Sequence, residues 1–225
     1  MYIFIAAYEE HWLNFSEIMQ FIEILTQYFS KNWIELIGAF TGLICVYLNV
    51  KENIWSFPLA IVTCAFYVVF FYKTKFYADM GLNILFIILG FIGWYQWLYG
   101  GNNKTELKIT HISVSELIWS LCFGLGFTAI AFYYFNNYTD ATAPFWDSFN
   151  TAFSLVAQYL LNKKRLENWI FWIMVDVIYV PMFLIREKYP TAGLYIIYLI
   201  LATIGYLSWR KKVVGKNIEE KFQVI

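Results

Sequence analysis

Seven apolar stretches dominate this chain, near 33–50, 55–72, 79–99, 112–135, 145–162, 168–185 and 191–209. As helices, each is long enough to cross a hydrocarbon core of roughly 30 Å. Backbone at that depth must satisfy its own hydrogen bonds, so an all-α bundle of transmembrane helices is the fold this pattern permits. Only 14% of residues are charged, against about 25% in a soluble domain. The 16 basic and 16 acidic residues cancel, which marks no nucleic-acid partner. Cys45, Cys64 and Cys122 lie inside apolar runs and read as small buried hydrophobes, not a disulfide framework or metal site. The opening MYIFIAAYEEHW has no basic n-region, so a cleavable signal peptide is not expected there.

An internal repeat organises the spans. A shift of 112 residues lays Gly81–Trp97 on Gly193–Trp209 with 8 identities in 17, and 12 in 31 when extended back to Tyr67 on Tyr179. A shift of 113 lays 39–49 on 152–162. Spans 1–3 and 5–7 are therefore related copies with span 4 between them. An odd number of spans per copy makes this a parallel 3+1+3 repeat, the SWEET-like arrangement, with a site between the copies. The expected division is 1–32, an amphipathic interfacial segment; 33–99, the first copy; 100–144, a linker with span 4; 145–209, the second copy; and 210–225, a polar, mobile tail. With the N-terminus outside, the inner side collects 11 basic residues and the outer side 5, which favours a cytoplasmic C-terminus.

The stretch Asn168–Tyr179 carries the densest chemistry. On a helix, Trp169, Trp172, Asp176 and Tyr179 share one face. A carboxylate at bilayer depth costs a few kcal/mol or more, so it is expected to face a cavity and mark a site. Aromatic faces beside it suit a planar, cationic ligand. Two other uses stay open: tryptophans as interfacial anchors, and Asp176 as partner of a group on another helix. Span 5 carries Asp147, Thr151, Ser154, Gln158 and Asn162 as one polar stripe. Gln96, able to donate and accept, is a further candidate contact. Trp55 lies within a residue or two of the repeat position of Trp169, and Tyr67 matches Tyr179. Pro58 and Pro181 sit inside spans as hinge or kink points. Neither a HExxH, GxSxG or CxxC motif nor a glycine-rich phosphate loop is present, which weighs against hydrolases, metalloenzymes and ATP-driven pumps. No cofactor is expected.

Three blocks, WIELIGAFTGLICVYLNVKENIWSFP (33–58), YADMGLNILFIILGFIGWYQW (77–97) and FWDSFNTAFSLVAQYLLNKKRLENWIFWIMVDVIYVP (145–181), resemble the PnuC family of bacterial vitamin transporters. The resemblance implies a SWEET-like 3+1+3 fold, often a homotrimer, in a bacterial inner membrane. It further implies facilitated diffusion of an unphosphorylated vitamin, trapped afterwards by a cytoplasmic kinase. Nicotinamide riboside, with its cationic ring, suits Trp169, Trp172 and Asp176; its hydroxyls and carboxamide suit Gln158, Asn162 and Gln96. Thiamine and riboflavin are alternative cargoes within the family. An intramembrane enzyme using Asp176 and Asp147 as acid and base, and a membrane scaffold, are readings from other classes.

Overall fold

In the computed structural model the described residues are 15–74, 77–139 and 142–223. The chain forms two compact units, 1–40 and 41–225. Among the described residues, seven long helices follow one another: α1 (Phe15–Val50), α2 (Ser56–Thr74), α3 (Tyr77–Tyr99), α4 (Val114–Tyr138), α5 (Pro144–Asn162), α6 (Asn168–Ile185) and α7 (Tyr189–Gln223). By length and composition, five of them can cross a membrane: α2, α3, α4, α6 and α7. α1 adds the shorter apolar stretch Leu36–Val50. α5 is not among the five because of its polar stripe. It buries Ser148, Asn150 and Asn162 along with seven apolar residues, and it packs on α3, α4 and α6. Protein, not hydrocarbon, therefore meets much of its surface.

Two expectations at the chain ends are corrected. Residues 15–30 do not form a helix of their own; they are continuous with the first span in α1. The connecting YFSKN contains neither Pro nor Gly, so nothing there breaks a helix. Residues 12–14 lie outside the described residues. The stretch from Arg210, expected to be mobile, continues α7 as helix to Gln223. Val213 is buried in the core and Lys212 pairs with Glu52, which anchors this turn.

α1 and α5 end in the same way. Lys51 N donates to Tyr47 O at 3.2 Å, Glu52 N to Asn49 O at 3.0 Å and Asn53 N to Leu48 O at 2.8 Å. Lys163, Lys164 and Arg165 repeat this on Tyr159, Leu161 and Leu160 at 3.1, 2.9 and 2.9 Å. Both ends are Schellman-type caps, which require one left-handed residue. These are Glu52 (φ 56°) and Lys164 (φ 48°), each costing roughly 1–2 kcal/mol without glycine. The two strained residues meet: the Lys164 ammonium lies 3.5 Å from the Glu52 carboxylate and 4.4 Å from the Trp97 ring centroid. Burial lowers the pKa of Lys164, and the charge of Glu52 opposes that shift. The caps correspond at a shift of 112, so Asn49 stands opposite Leu161. The 113 shift that lays Asn49 on Asn162 does not describe these turns.

A layer of aromatic rings closes this end of the bundle. Trp97 Nε1 donates to Leu161 O at 3.0 Å, and Trp209 Nε1 donates to Val50 O at 3.3 Å. Phe57 packs edge-on to Trp97 at 5.0 Å, and Trp169 edge-on to Trp209 at 5.4 Å. Glycines make room for both: a Cβ at Gly93 would meet Phe57, and one at Gly205 would meet the Trp169 ring at 2.7 Å. The linker before α4 is strapped to the same end. Thr110 N donates to Lys164 O at 3.1 Å, and the Glu167 carboxylate accepts from Ile112 N at 2.8 Å. Trp209→Phe keeps a ring in the layer but leaves the Val50 carbonyl unpaired. It should cost about 1–3 kcal/mol and lower the melting temperature of the purified protein, as should Trp97→Phe. Unchanged melting of both variants would show that the crossed pairs carry no stability.

Candidate functional site

Above this layer lies a cavity of about 450 Å³, within the size range of small-molecule sites. α6 supplies one wall. Trp169, Trp172, Asp176 and Tyr179 line the cavity together, as one helical face should. Trp169 is only 2% exposed and forms part of the floor against Trp209. Asp176 is 4% exposed, and none of the ion pairs among the described residues involves it. α5 adds Thr151, Ser154 and Gln158 from its stripe.

The remaining candidates sit elsewhere. Asn162 lies behind Gln158: its Oδ1 accepts from Gln158 Nε2 at 2.9 Å, and its Nδ2 donates to Leu89 O at 2.9 Å. It positions the Gln158 amide without itself lining the cavity. Asp147 is bound by Arg186 at 3.0 Å, away from the lining. Gln96 and Tyr67 do not line the cavity; Tyr67 stacks on Phe71 at 5.8 Å. Trp55 is 67% exposed and also outside it. The residue that stands where Trp169 stands in the other copy is Phe57, which is 112 positions earlier and in the equivalent ring contact.

Several lining residues escaped the sequence reading. Tyr195 and Tyr198 of α7 face the cavity, with Tyr195 packed on Tyr179 at 4.7 Å. α1 and α2 add Asn49, Ser56, Thr63 and Cys64. The repeat was the available signal. Nine lining positions recur among the lining 112 residues on, from Gly42 with Ser154 and Val46 with Gln158 to Phe86 with Tyr198 and Gly90 with Ala202. Phe57 with Trp169 and Phe86 with Tyr198 keep an aromatic ring in both copies, while other pairs share only the place. Where one copy has Trp172, Asp176 and Gln158, the other has Ala60, Cys64 and Val46. The second copy presents the acid and the tryptophans, and the first contributes Asn49, Ser56, Thr63, Phe57 and Phe86.

A cavity of ligand size among apolar helices, lined for recognition, is the layout of a small-molecule membrane transporter. This chain belongs to the nicotinamide mononucleotide transporter family, which matches residues 32–211. It is a multi-pass membrane protein of a family of transporters, not enzymes. The nicotinamide riboside transporter PnuC of Escherichia coli (strain K12) is 26% identical over 206 residues, covering 80% of this chain and 86% of its own length. The riboflavin/roseoflavin transporter RibM of Streptomyces davaonensis is 22% identical over 205 residues, covering 88% and 92%. A crystal structure of the vitamin B3 transporter PnuC shares the fold, with a TM-score of 0.63 at 23% identity over 89% of this chain and 92% of that one. Ala60→Trp would put a second indole opposite Trp172. It should fill the cavity and abolish uptake while leaving membrane insertion intact, as read by transport into proteoliposomes beside a melting curve. Wild-type uptake by this variant would place the pathway elsewhere.

Proposed function

We propose that this chain carries nicotinamide riboside across a bacterial inner membrane by facilitated diffusion. One observation carries the reading. Asp176 is the sole charged residue of the cavity lining, beside Trp169, Trp172 and Tyr179, with no Lys, Arg or His among the described lining residues. A carboxylate taken from water without a partner is costly, and a pyridinium ring brings both the counter-charge and a face to stack. The same lining argues for the riboside over the mononucleotide of the family description. A phosphate adds a charge of about −1.5 to −2 that nothing in the lining offsets. Phosphorylation by a cytoplasmic kinase would therefore trap the cargo. The second reading, riboflavin, rests on the similarity to RibM; a neutral ring needs the stacking face but not Asp176.

The finer architecture follows the same line. The matched caps, ring pairs and lining positions support the parallel 3+1+3 repeat with the cavity between the copies. The basic-residue bias of 11 to 5 supports an extracytoplasmic N-terminus and a cytoplasmic C-terminus. The homotrimer rests on the family resemblance alone. For orientation, in a background without the three native cysteines, Asn137→Cys should react with an impermeant maleimide on intact cells, and Lys211→Cys only after permeabilisation. The reverse pattern would invert the topology.

Purified protein in proteoliposomes should take up labelled nicotinamide riboside to equal concentrations on both sides, unaffected by collapse of proton or sodium gradients. Accumulation above the outside concentration would reveal an energy coupling. Trp172→Ala should cost roughly 1–3 kcal/mol of binding, by analogy with stacking on nucleobases, a loss of about five- to more than a hundredfold. Asp176→Asn should weaken the cationic riboside more than its uncharged, ring-reduced analogue. Equal losses for both ligands would remove Asp176 from the role of counter-charge.

A further inference from the structure

The end of α1 is joined to α7 at two points, away from the cavity. Trp209 Nε1 donates to Val50 O at 3.3 Å, and Lys212 pairs with Glu52. Lys51 stands between the two joined residues on the α1 side, and Arg210 and Lys211 stand between the two on α7. All three are exposed. None of them takes part in an ion pair among the described residues. The acids at this seam are Glu52, already shared by Lys164 and Lys212, and Glu106, whose charge acts on Lys164. Lys51, Lys164, Arg210, Lys211 and Lys212 therefore face two acids, a surplus of three positive charges in a chain whose net charge is zero. Like charges held this close repel one another, and an anion placed among them relieves the repulsion.

Depth along the helices decides where that anion comes from. The headgroup regions add roughly 5–7 Å on each side of the hydrocarbon core, which a helix covers in about four residues. The apolar runs of α1 and α7 end at Val50 and Trp209, so Lys51, Arg210 and Lys211 open the headgroup zone. The rings beside them fit the same depth. Trp55 is 67% and Tyr47 51% exposed, and the Lys51 ammonium lies 5.8 Å from the Tyr47 ring centroid. Exposed tryptophan and tyrosine, with a lysine whose ammonium reaches past a ring, are the side chains of a membrane interface. The repeat shows that the seam is more than ordinary decoration of helix ends. In the first copy, Leu98 and Tyr99 stand where Arg210 and Lys211 stand in the second, and Gly100 stands where Lys212 does. The matching seam, where Trp97 meets Leu161 O, keeps only Lys163 outside the ion pairs, 6.0 Å from the Tyr159 ring centroid. The basic seam therefore occurs once per chain.

We infer that Lys51, Arg210 and Lys211, with Tyr47 and Trp55 beside them, bind the headgroup phosphate of one anionic phospholipid at the seam between α1 and α7. The site is independent of the cargo assigned to the cavity. The lipid phosphate supplies the negative charge that Glu52, engaged by two lysines, does not. It braces the two copies against each other at the end where the Trp209 bond to Val50 O joins them.

The test is native mass spectrometry of the purified parent titrated with phosphatidylglycerol or phosphatidylcholine, beside melting curves in each lipid. Phosphatidylglycerol should bind as one tight molecule per chain and raise the melting temperature; phosphatidylcholine should do neither. Each cation beside an anionic headgroup contributes about fivefold in affinity. Lys51→Gln/Arg210→Gln/Lys211→Gln should therefore weaken phosphatidylglycerol binding by about a hundredfold. Lys104→Gln/Lys108→Gln/Lys163→Gln removes the same charge elsewhere at this end of the bundle and should weaken it by less than about fivefold. Equal losses in the two triple variants would reduce the effect to net charge and overturn the site. A folded seam variant, judged by its melting in phosphatidylcholine, that binds phosphatidylglycerol like the parent would overturn it as well. If the triple variant does not fold, Arg210→Gln alone should lose about fivefold, and an unchanged affinity decides against the site. A parent that binds both lipids alike overturns it without recourse to any variant. If inorganic phosphate raises the parent's melting temperature as much as phosphatidylglycerol does, the anion is a soluble one and the lipid assignment fails.

Discussion

Two indole N–H groups that reach across the structure hold this protein together. Trp97 closes α3 yet donates to the end of α5, and Trp209 on α7 donates to the end of α1. The last carbonyls of a helix have no partner inside it, and in a membrane protein they cannot simply be left unpaired. Trp209 gives Val50 O a partner from the other half of the chain, and Trp97 adds a second donor to Leu161 O, which already accepts from Lys164 N. The rest follows from that crossing. Phe57 and Trp169 rest edge-on against the crossing rings, and their opposite faces become the floor of the cavity. The left-handed Glu52 and Lys164 meet beside it, so two individually unfavourable turns are fixed by a shared contact.

The helices were legible because apolar length and helical period are strong local signals. α6 was legible as a face: Trp169, Trp172, Asp176 and Tyr179 were grouped from spacing, and they line one cavity. What failed was depth along a helix and partnership across helices. Asn162 continues the stripe of Gln158 by period, yet it turns to α3, where it donates to Leu89 O, and does not line the cavity although Leu161 beside it does. Asp147 continues it the other way and meets Arg186, 39 positions distant. Period alone cannot say where along a stripe the cavity begins and ends. Trp55 matches Trp169 in the repeat only to within two residues, and the equivalent of Trp169 at a shift of 112 is Phe57. A register loose by two residues is enough to move a side chain from the cavity lining to the exposed surface. Held strictly at 112, the repeat would have pointed to Phe57, Ala60 and Cys64 before any coordinates. The drift to 113 near the ends of α1 and α5 hid Asn49 behind Asn162.

The cavity joins a shared frame to an unequal lining. Positions recur between the copies, but Trp172, Asp176 and Gln158 face Ala60, Cys64 and Val46 across it. Two equal walls would bind a ligand in two orientations and place two carboxylates close together, each raising the cost of the other. One aromatic wall with a single acid would bind the proposed cargo in one orientation, and the smaller residues of the other copy would limit how thick a bound ring can be. The acid contributes in a second way. A ligand shifts a conformational equilibrium only by the difference in its affinity for the two states. A buried carboxylate with no protein cation is unfavourable while the cavity is closed and empty, and a bound cation removes that penalty. If the cargo is the cationic riboside proposed above, closure around it is favoured over closure around nothing, and Asp176 would supply that difference in affinity.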